Sequence, residues 1–136
     1  MKRPKKRGGD PYVRYTPDEL RAEAAGWHGA NYAPGEPGYC RPFDAFWVYE
    51  PNYDVSKLLH LVADWPAWFL AEQKDKADEG REGYYDSMLD RPIDEAIIVL
   101  EREGKGYIWD GWHRTGAAVT KNLEGLRAIV GQFPDY

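Results

Sequence analysis

Cysteine and long apolar runs are nearly missing from this sequence. The first absence argues against a disulfide-bonded protein and the second against a membrane-spanning one. The single cysteine, Cys40, has no partner for a disulfide within the chain, as is typical of proteins from a reducing compartment. The apolar run at residues 96–100 has only five residues, whereas a membrane-spanning helix needs about 20. Residues 1–9 contain no apolar stretch of the kind found in a signal peptide. We therefore expect a cytoplasmic protein that does not enter a membrane.

Histidine and serine are also scarce, which argues against two common kinds of site. The three histidines, His28, His60 and His113, are widely spaced and have no cysteine-rich sequence around them, so they do not form a zinc-ligand pattern. Neither of the two serines stands in the Gly-x-Ser-x-Gly setting of a hydrolase nucleophile. The sequence therefore favours neither a structural zinc site nor a serine hydrolase.

The charges are distributed unevenly along the chain. The net charge is −5, yet residues 2–7 carry five positive charges, so the rest of the chain has a net charge of −10. An acidic body is a poor platform for duplex DNA, whose phosphates favour a basic surface. We expect residues 1–9 to form a flexible basic tail, with weak contact to nucleic acid as the alternative role, and residues 10–136 to form a single domain.

The order of predicted elements indicates the fold class. With 136 residues, 43% of them hydrophobic, the chain is long enough for one domain with an apolar core. Thr16, Pro17 and Glu19 form a capping-box pattern, which predicts a helix that ends at Gly26. In chain order the patterns then predict a loop over 26–42, a strand over 43–50, a helix from residue 54, a second helix over 66–76, a polar loop over 74–90, a strand over 96–102, a turn over 103–106, a strand over 107–109, a helix over 112–121 and a strand over 126–130. This order indicates a small α/β or α+β domain.

The stretch from Asp110 to Thr115 carries the strongest chemical signal. The predicted strand passes through Gly111 directly into a helix, so backbone N–H groups and the positive helix end point beyond the strand tip. Gly111 lets a phosphate approach the backbone closely, Arg114 can hold two phosphate oxygens, and Thr115 can add a hydroxyl donor. His113 can donate a hydrogen bond or transfer a proton. The segment predicts an anion site, most naturally one for phosphate.

A purely structural role competes with this prediction: Asp110 caps the helix while His113 and Arg114 face solvent. However, the positive end of a helix disfavours cations, and two of them there suggest an external anion. A phosphoryl-transfer site also needs a carboxylate that accepts a proton or holds Mg²⁺. Asp110 is the first candidate because it adjoins the turn, Glu50 is the second, and the acidic pair at residues 94–95 is the third.

These residues resemble the ParB/sulfiredoxin superfamily. Its pattern is a strand, a DGxHR-type turn, a helix with small residues and a further strand, and the matching segments here are residues 91–93, 97–99, 107–114, 117–118 and 126–130. The resemblance covers about the last 45 residues well and the rest only in outline. It implies a small α+β domain with a mixed sheet flanked by helices. It also implies that Gly111, His113 and Arg114 cradle the phosphates of ATP or CTP with Mg²⁺.

Trp112 departs from the superfamily pattern. The matching position holds a catalytic cysteine in sulfiredoxins and a glutamate near the metal-bound triphosphate in ParB partition proteins. Tryptophan supplies neither a thiolate nor a carboxylate, so reduction of a sulfinic acid is not expected. Nor does the sequence contain a second ParB-type nucleotide box or a helix-turn-helix, which argues against a CTP-gated DNA clamp. We expect Trp112 on the ligand side, where it stacks on a nucleobase or contacts a protein partner.

Three hypotheses about function remain open. The first is a nucleotide-binding domain that acts as a phosphotransferase or NTPase, with Asp110 and His113 catalytic, Asp110 as the metal ligand, and the nucleotide and its phosphates bound by residues 111–115. The second is a non-catalytic module that binds a protein or a nucleic acid. The third is a nuclease of a mobile element, although the acidic body argues against it.

Overall fold

The computed structural model describes residues 10–64, 67, 71 and 95–133. Its α-helices and β-strands, in chain order, are α1 (Pro17–Ala25), β1 (Phe46–Asp54), α2 (Leu59–Val62), β2 (Ile97–Arg102), β3 (Lys105–Asp110), α3 (Trp112–Thr120) and β4 (Gly125–Gln132). Short 3-10 turns at Pro11–Arg14, Pro42–Asp44 and Val55–Leu58 complete the regular structure of this part. The predicted tail at 1–9, helix at 66–76 and loop at 74–90 fall outside the described residues, apart from residues 67 and 71.

Helix α1 begins and ends where the sequence predicts. The Thr16 hydroxyl accepts the Glu19 N–H at 3.2 Å, and the Glu19 carboxylate accepts the Thr16 N–H at 2.8 Å. This reciprocal pair satisfies two backbone donors that the helix itself cannot, while Pro17 occupies a position that needs no donor. Leu20 and Ala24 face inward and are almost fully buried.

The four strands form one mixed sheet in the order β1-β4-β2-β3. The pairs β1/β4 and β2/β3 are antiparallel, whereas β2 and β4 are parallel. The chain therefore passes from β2 through β3 and α3 before it returns beside β2 as β4. The prediction of an α+β domain with a mixed sheet flanked by helices is confirmed.

The first strand lies further along the chain than predicted. Residues 42–44 form a 3-10 turn, and β1 continues past Pro51 to Asp54. The pairing with β4 shifts between Glu50 and Tyr53, so the strand absorbs Pro51 as an irregularity and resumes at the Tyr53–Leu126 pair. Because β1 is an edge strand, a residue without an N–H is tolerated there.

The predicted helix from Asp54 takes a tighter form. The Asp54 carboxylate accepts the Ser56 N–H at 2.9 Å and starts a 3-10 turn over Val55–Leu58, which passes into the short α2. Val55, Leu58 and Val62 are buried as the apolar spacing indicates, whereas Leu59 is 39% exposed. Three of the four predicted inward residues are therefore buried and Leu59 is not, and the predicted helix begins as a 3-10 turn.

A two-residue turn joins β2 to β3. Glu103 and Gly104 have φ angles of 53° and 79°, the paired positive values of a type I′ turn, whose twist matches that of the strands. The predicted four-residue turn is too long because Lys105 and Gly106 already belong to β3.

The sheet packs apolar residues on both faces. One cluster lies with α2 and α3 and includes Ile97, Val99, Ile108 and Val130. The other lies with α1 and the segment before β1, and includes Trp47, Leu100 and Trp109. Within the described residues, no helix has the length and apolar character needed to cross a bilayer.

Candidate functional site

The turn from β3 into α3 has the geometry that the sequence predicts. Asp110 ends the strand, Gly111 adopts φ +108° in the left-handed region, and Trp112 begins the helix. Glycine is favoured at this position because a Cβ atom makes such a φ costly. As the N-cap residue Gly111 offers no side-chain acceptor, so the first N–H groups of α3 are not capped by it.

The space beside Gly111 is filled from within the protein. A Cβ atom at this position would lie 2.4 Å from Cγ2 of Ile97 and 3.2 Å from Nη2 of Arg114. The sequence predicts that the missing side chain of Gly111 lets a phosphate approach the backbone. On the side where a Cβ atom would lie, however, the space is occupied by Ile97 of β2. Gly111 therefore fixes the packing of the turn, and any anion must approach over the helix end instead.

Arg114 is the central charged group of the turn. Its Nη2 atom donates to Oδ2 of Asp110 at 2.9 Å, and Nη1 contacts Oε2 of Glu95 at 3.5 Å. The Arg114 and Asp110 side chains are each 27% exposed, while the Glu95 side chain is 62% exposed. The Asp110 carboxylate therefore pairs with a side chain one helical turn away, and the capping role that competed with the phosphate hypothesis is not observed.

Two residues of the predicted nucleotide site pack against the protein. Thr115 is fully buried, and its hydroxyl donates to the Gly111 carbonyl at 2.9 Å. Its oxygen is therefore committed to the helix, and we remove Thr115 from the site. Trp112 is partly buried and packs against the cluster that lies with α2 and α3. It is thus a core-edge residue, whereas we expected it to face the ligand.

His113 is the exposed residue of the first turn of α3. Its neighbours Trp112 and Arg114 are both partly buried, so the imidazole is the side chain of this turn that is most open to solvent. The structure thus brings Asp110 and Glu95 together on Arg114, and His113 is the next residue to Arg114 on the same helical turn.

The other carboxylate candidates separate in space. Glu95 joins the turn through Arg114, whereas Asp94 lies outside the described residues. Glu50 lies on β1, with β4 and β2 between it and β3. There it borders a cavity of about 230 Å³ that Tyr53 and Glu101 also line. No residue of the β3/α3 turn lines this cavity, so Glu50 is not part of the candidate site.

No metal centre is preformed in the described part of the chain, where no group of three or more His, Cys, Asp or Glu residues could hold an ion. Mg²⁺ bound with a nucleotide differs, because it usually takes only one or two protein carboxylates together with substrate phosphates. Asp110 and Glu95 are two such carboxylates on one guanidinium. The donor set therefore fits a metal that arrives with its phosphates.

Cys40 does not replace the cysteine that the sulfiredoxin pattern has at the position of Trp112. It is buried in the cluster that lies with α1. Burial raises the pKa of its thiol to about 11, which leaves it protonated and unreactive at neutral pH.

Comparison with known proteins assigns no family. No family model, no curated protein and no solved structure matches this chain. The similarity to the ParB/sulfiredoxin superfamily therefore remains an interpretation of the motif.

Proposed function

We propose that the amino-terminal end of α3 binds the phosphate groups of a nucleotide. The observation that carries this proposal is Arg114, a guanidinium on the first turn of α3 whose buried Nε atom has no acceptor in the described part of the chain, beside the positive end of the helix. The same end supplies backbone N–H donors, and His113 stands exposed beside it. A phosphate accepts hydrogen bonds from all three kinds of donor at once.

The nucleotide class follows from the motif. The run from Asp110 to Arg114 resembles the phosphate-binding turn of the ParB/sulfiredoxin superfamily, which implies ATP or CTP with Mg²⁺. In this arrangement Arg114 clamps phosphate oxygens, Gly111 sets the path of the backbone, and His113 donates a further hydrogen bond. The stacking role first expected of Trp112 is not part of the proposal, because that ring packs on the core.

Calorimetric titration tests the binding step. ATP, CTP, GTP and ADP are added with and without Mg²⁺ to the wild type and to Arg114→Ala. We expect the variant to bind at least about tenfold more weakly, since it loses charge-assisted hydrogen bonds. Arg21→Ala is the matched control, because the Arg21 side chain is 29% exposed and pairs with Asp18 at 3.1 Å. Equal losses in both variants would overturn the assignment.

For the chemical step we propose phosphoryl transfer or nucleotide hydrolysis, with Asp110 as the carboxylate that accepts a proton or holds Mg²⁺. Its position supports this role, because it directly precedes the turn and contacts the arginine that would hold the phosphates. Phosphate release from ATP and CTP in the presence of Mg²⁺ is the measurement. Asp110→Asn should lower it by about 100-fold, whereas Asp18→Asn, which breaks the matched pair on α1, should not change it.

Two exposed aromatic residues favour a second candidate, a non-catalytic module that binds a protein partner. Phe43, in the 3-10 turn before β1, is 80% exposed, and Phe46, the first residue of β1, is 60% exposed. Apolar side chains exposed together often mark an interaction surface. Association measured by sedimentation over a range of concentrations tests this candidate, with a Phe43→Ser, Phe46→Ser double variant and Val13→Ser as the control. Association that both proteins retain would argue against this surface.

A further inference from the structure

We infer that Asp110 and Glu95 hold Arg114 in a closed position, so that the proposed phosphate site inhibits itself at rest. This inference rests on the proposed function and adds a form of regulation to the same site. A phosphate must compete for the guanidinium with two carboxylates that belong to the protein.

Two ion pairs hold the Arg114 side chain. Both terminal nitrogens are engaged, Nη2 with Asp110 at 2.9 Å and Nη1 with Glu95 at 3.5 Å. The two carboxylates come from different elements, one from the end of β3 and the other from the residue two positions before β2. Arginine uses the same nitrogen fork to hold a phosphate. The ion pairs and a bound phosphate therefore compete for the guanidinium.

The third guanidinium nitrogen shows that the closed position is incomplete. The Nε atom of Arg114 is buried and has no hydrogen-bond acceptor in the described part of the chain. A buried donor without an acceptor is unfavourable. If the side chain turns toward a phosphate over the helix end, Nε and one Nη can donate to two oxygens together. Opening therefore gains a hydrogen bond that the closed position lacks.

The charges of Asp110, Glu95 and Arg114 do not balance. Two carboxylates surround one guanidinium, so this group is negative overall and repels an approaching anion. Neutralising one carboxylate weakens the hold on Arg114 and removes part of this repulsion. Only the first of these effects requires Arg114, and this difference allows the two effects to be separated.

The experiment measures tripolyphosphate affinity by calorimetry in buffer free of divalent cations. Asp110→Asn and Glu95→Gln are each made in the wild type and in Arg114→Ala. We expect affinity to rise about three- to tenfold in Asp110→Asn and about twofold in Glu95→Gln, and to rise clearly less for both in Arg114→Ala, where only the weaker repulsion acts. Glu23→Gln on α1 is the control for the loss of one negative charge, because α1 packs with the other face of the sheet.

Each other result has a distinct meaning. If both substitutions raise affinity equally with and without Arg114, simple repulsion accounts for them and the closed position is overturned. Binding that needs Arg114 but ignores both carboxylates overturns the inference and leaves the proposed function intact. Failure of every protein to bind tripolyphosphate, also after Mg²⁺ is added, overturns the proposed function itself. Glu95 is well exposed, so Glu95→Gln keeps the test decisive even where Asp110→Asn does not fold.

Discussion

Ile97 occupies the place that a side chain at residue 111 would need, with its Cγ2 atom 2.4 Å from the position of a Cβ atom there. Gly111 also adopts φ +108°. Both facts make Gly111→Ala unfavourable, because the left-handed backbone and the forced repacking add to each other. We expect a loss of about 2–4 kcal/mol in the free energy of unfolding, measured in urea.

The control for Gly111→Ala is Gly104→Ala. Gly104 has φ +79°, but a Cβ atom there would meet nothing within 4 Å. This variant isolates the backbone contribution, for which we expect about 1 kcal/mol. Equal losses in the two variants would mean that the contact with Ile97 contributes nothing.

Trp112 provides a prediction that separates packing from base recognition. Because its ring packs against the core, Trp112→Ala should lower the free energy of unfolding by roughly 2 kcal/mol. The ratio of ATP affinity to tripolyphosphate affinity should not change, since no stacking on the base is lost. Calorimetry with both ligands gives this ratio.

Trp112→Phe completes the comparison for this position. It keeps an aromatic ring in the same place and should recover most of the lost stability. A fall in the ATP to tripolyphosphate ratio in Trp112→Ala would instead place the ring against the nucleobase.

Local patterns predicted the elements whose ends are set by neighbouring residues. The α1 helix is the clearest case, because Thr16 and Glu19 satisfy each other's backbone donors within one turn. The end of β1 shows the opposite. From the sequence, Pro51 predicts the end of a strand, because proline lacks an N–H. In the structure β1 pairs with β4 on one side only and continues past Pro51 to Asp54. That outcome depends on which edge of the sheet the strand occupies, and no local pattern states it.

The candidate site shows the same division. The turn at Gly111 was predicted from its sequence, whereas the ion pair between Asp110 and Arg114 was not predicted, although their i, i+4 spacing permits it. The sequence also contains a signal for the inward side of α3, because Trp112, Thr115 and Val119 follow the i, i+3, i+7 spacing of a buried face. The phosphate hypothesis instead assigned Trp112 and Thr115 to the ligand. The contact between Glu95 and Arg114 could not be predicted from the sequence, because it depends on the position of β2 beside β3 in the sheet.

Cys40 gives a prediction about alkaline pH. Burial raises the pKa of its thiol from 9.0 to about 11, so the folded state favours the protonated form. Below pH 9 the thiol is protonated in both states and contributes no pH dependence. Between pH 9 and 11 the unfolded chain loses this proton first, so the free energy of unfolding falls as the pH rises.

The comparison with Cys40→Ala isolates this contribution. Unfolding in urea at pH 8 and at pH 10.5 should show a smaller fall for the variant than for the wild type. Identical falls would mean that the thiol keeps its ordinary pKa in the folded protein.

Asn31 fastens the segment between α1 and β1 to the edge of the sheet. Its Nδ2 atom donates to the Trp109 carbonyl at 2.8 Å and to the Ile108 carbonyl at 3.3 Å, both on β3. Asn31→Ala removes these bonds and should cost about 1 kcal/mol of stability. Asn31→Asp should cost more, about 2 kcal/mol, because it places a carboxylate against two carbonyl oxygens. Amide hydrogen exchange over residues 26–42 should become faster in the same order. Rates that stay at the wild-type value in both variants would show that other contacts hold this segment in place.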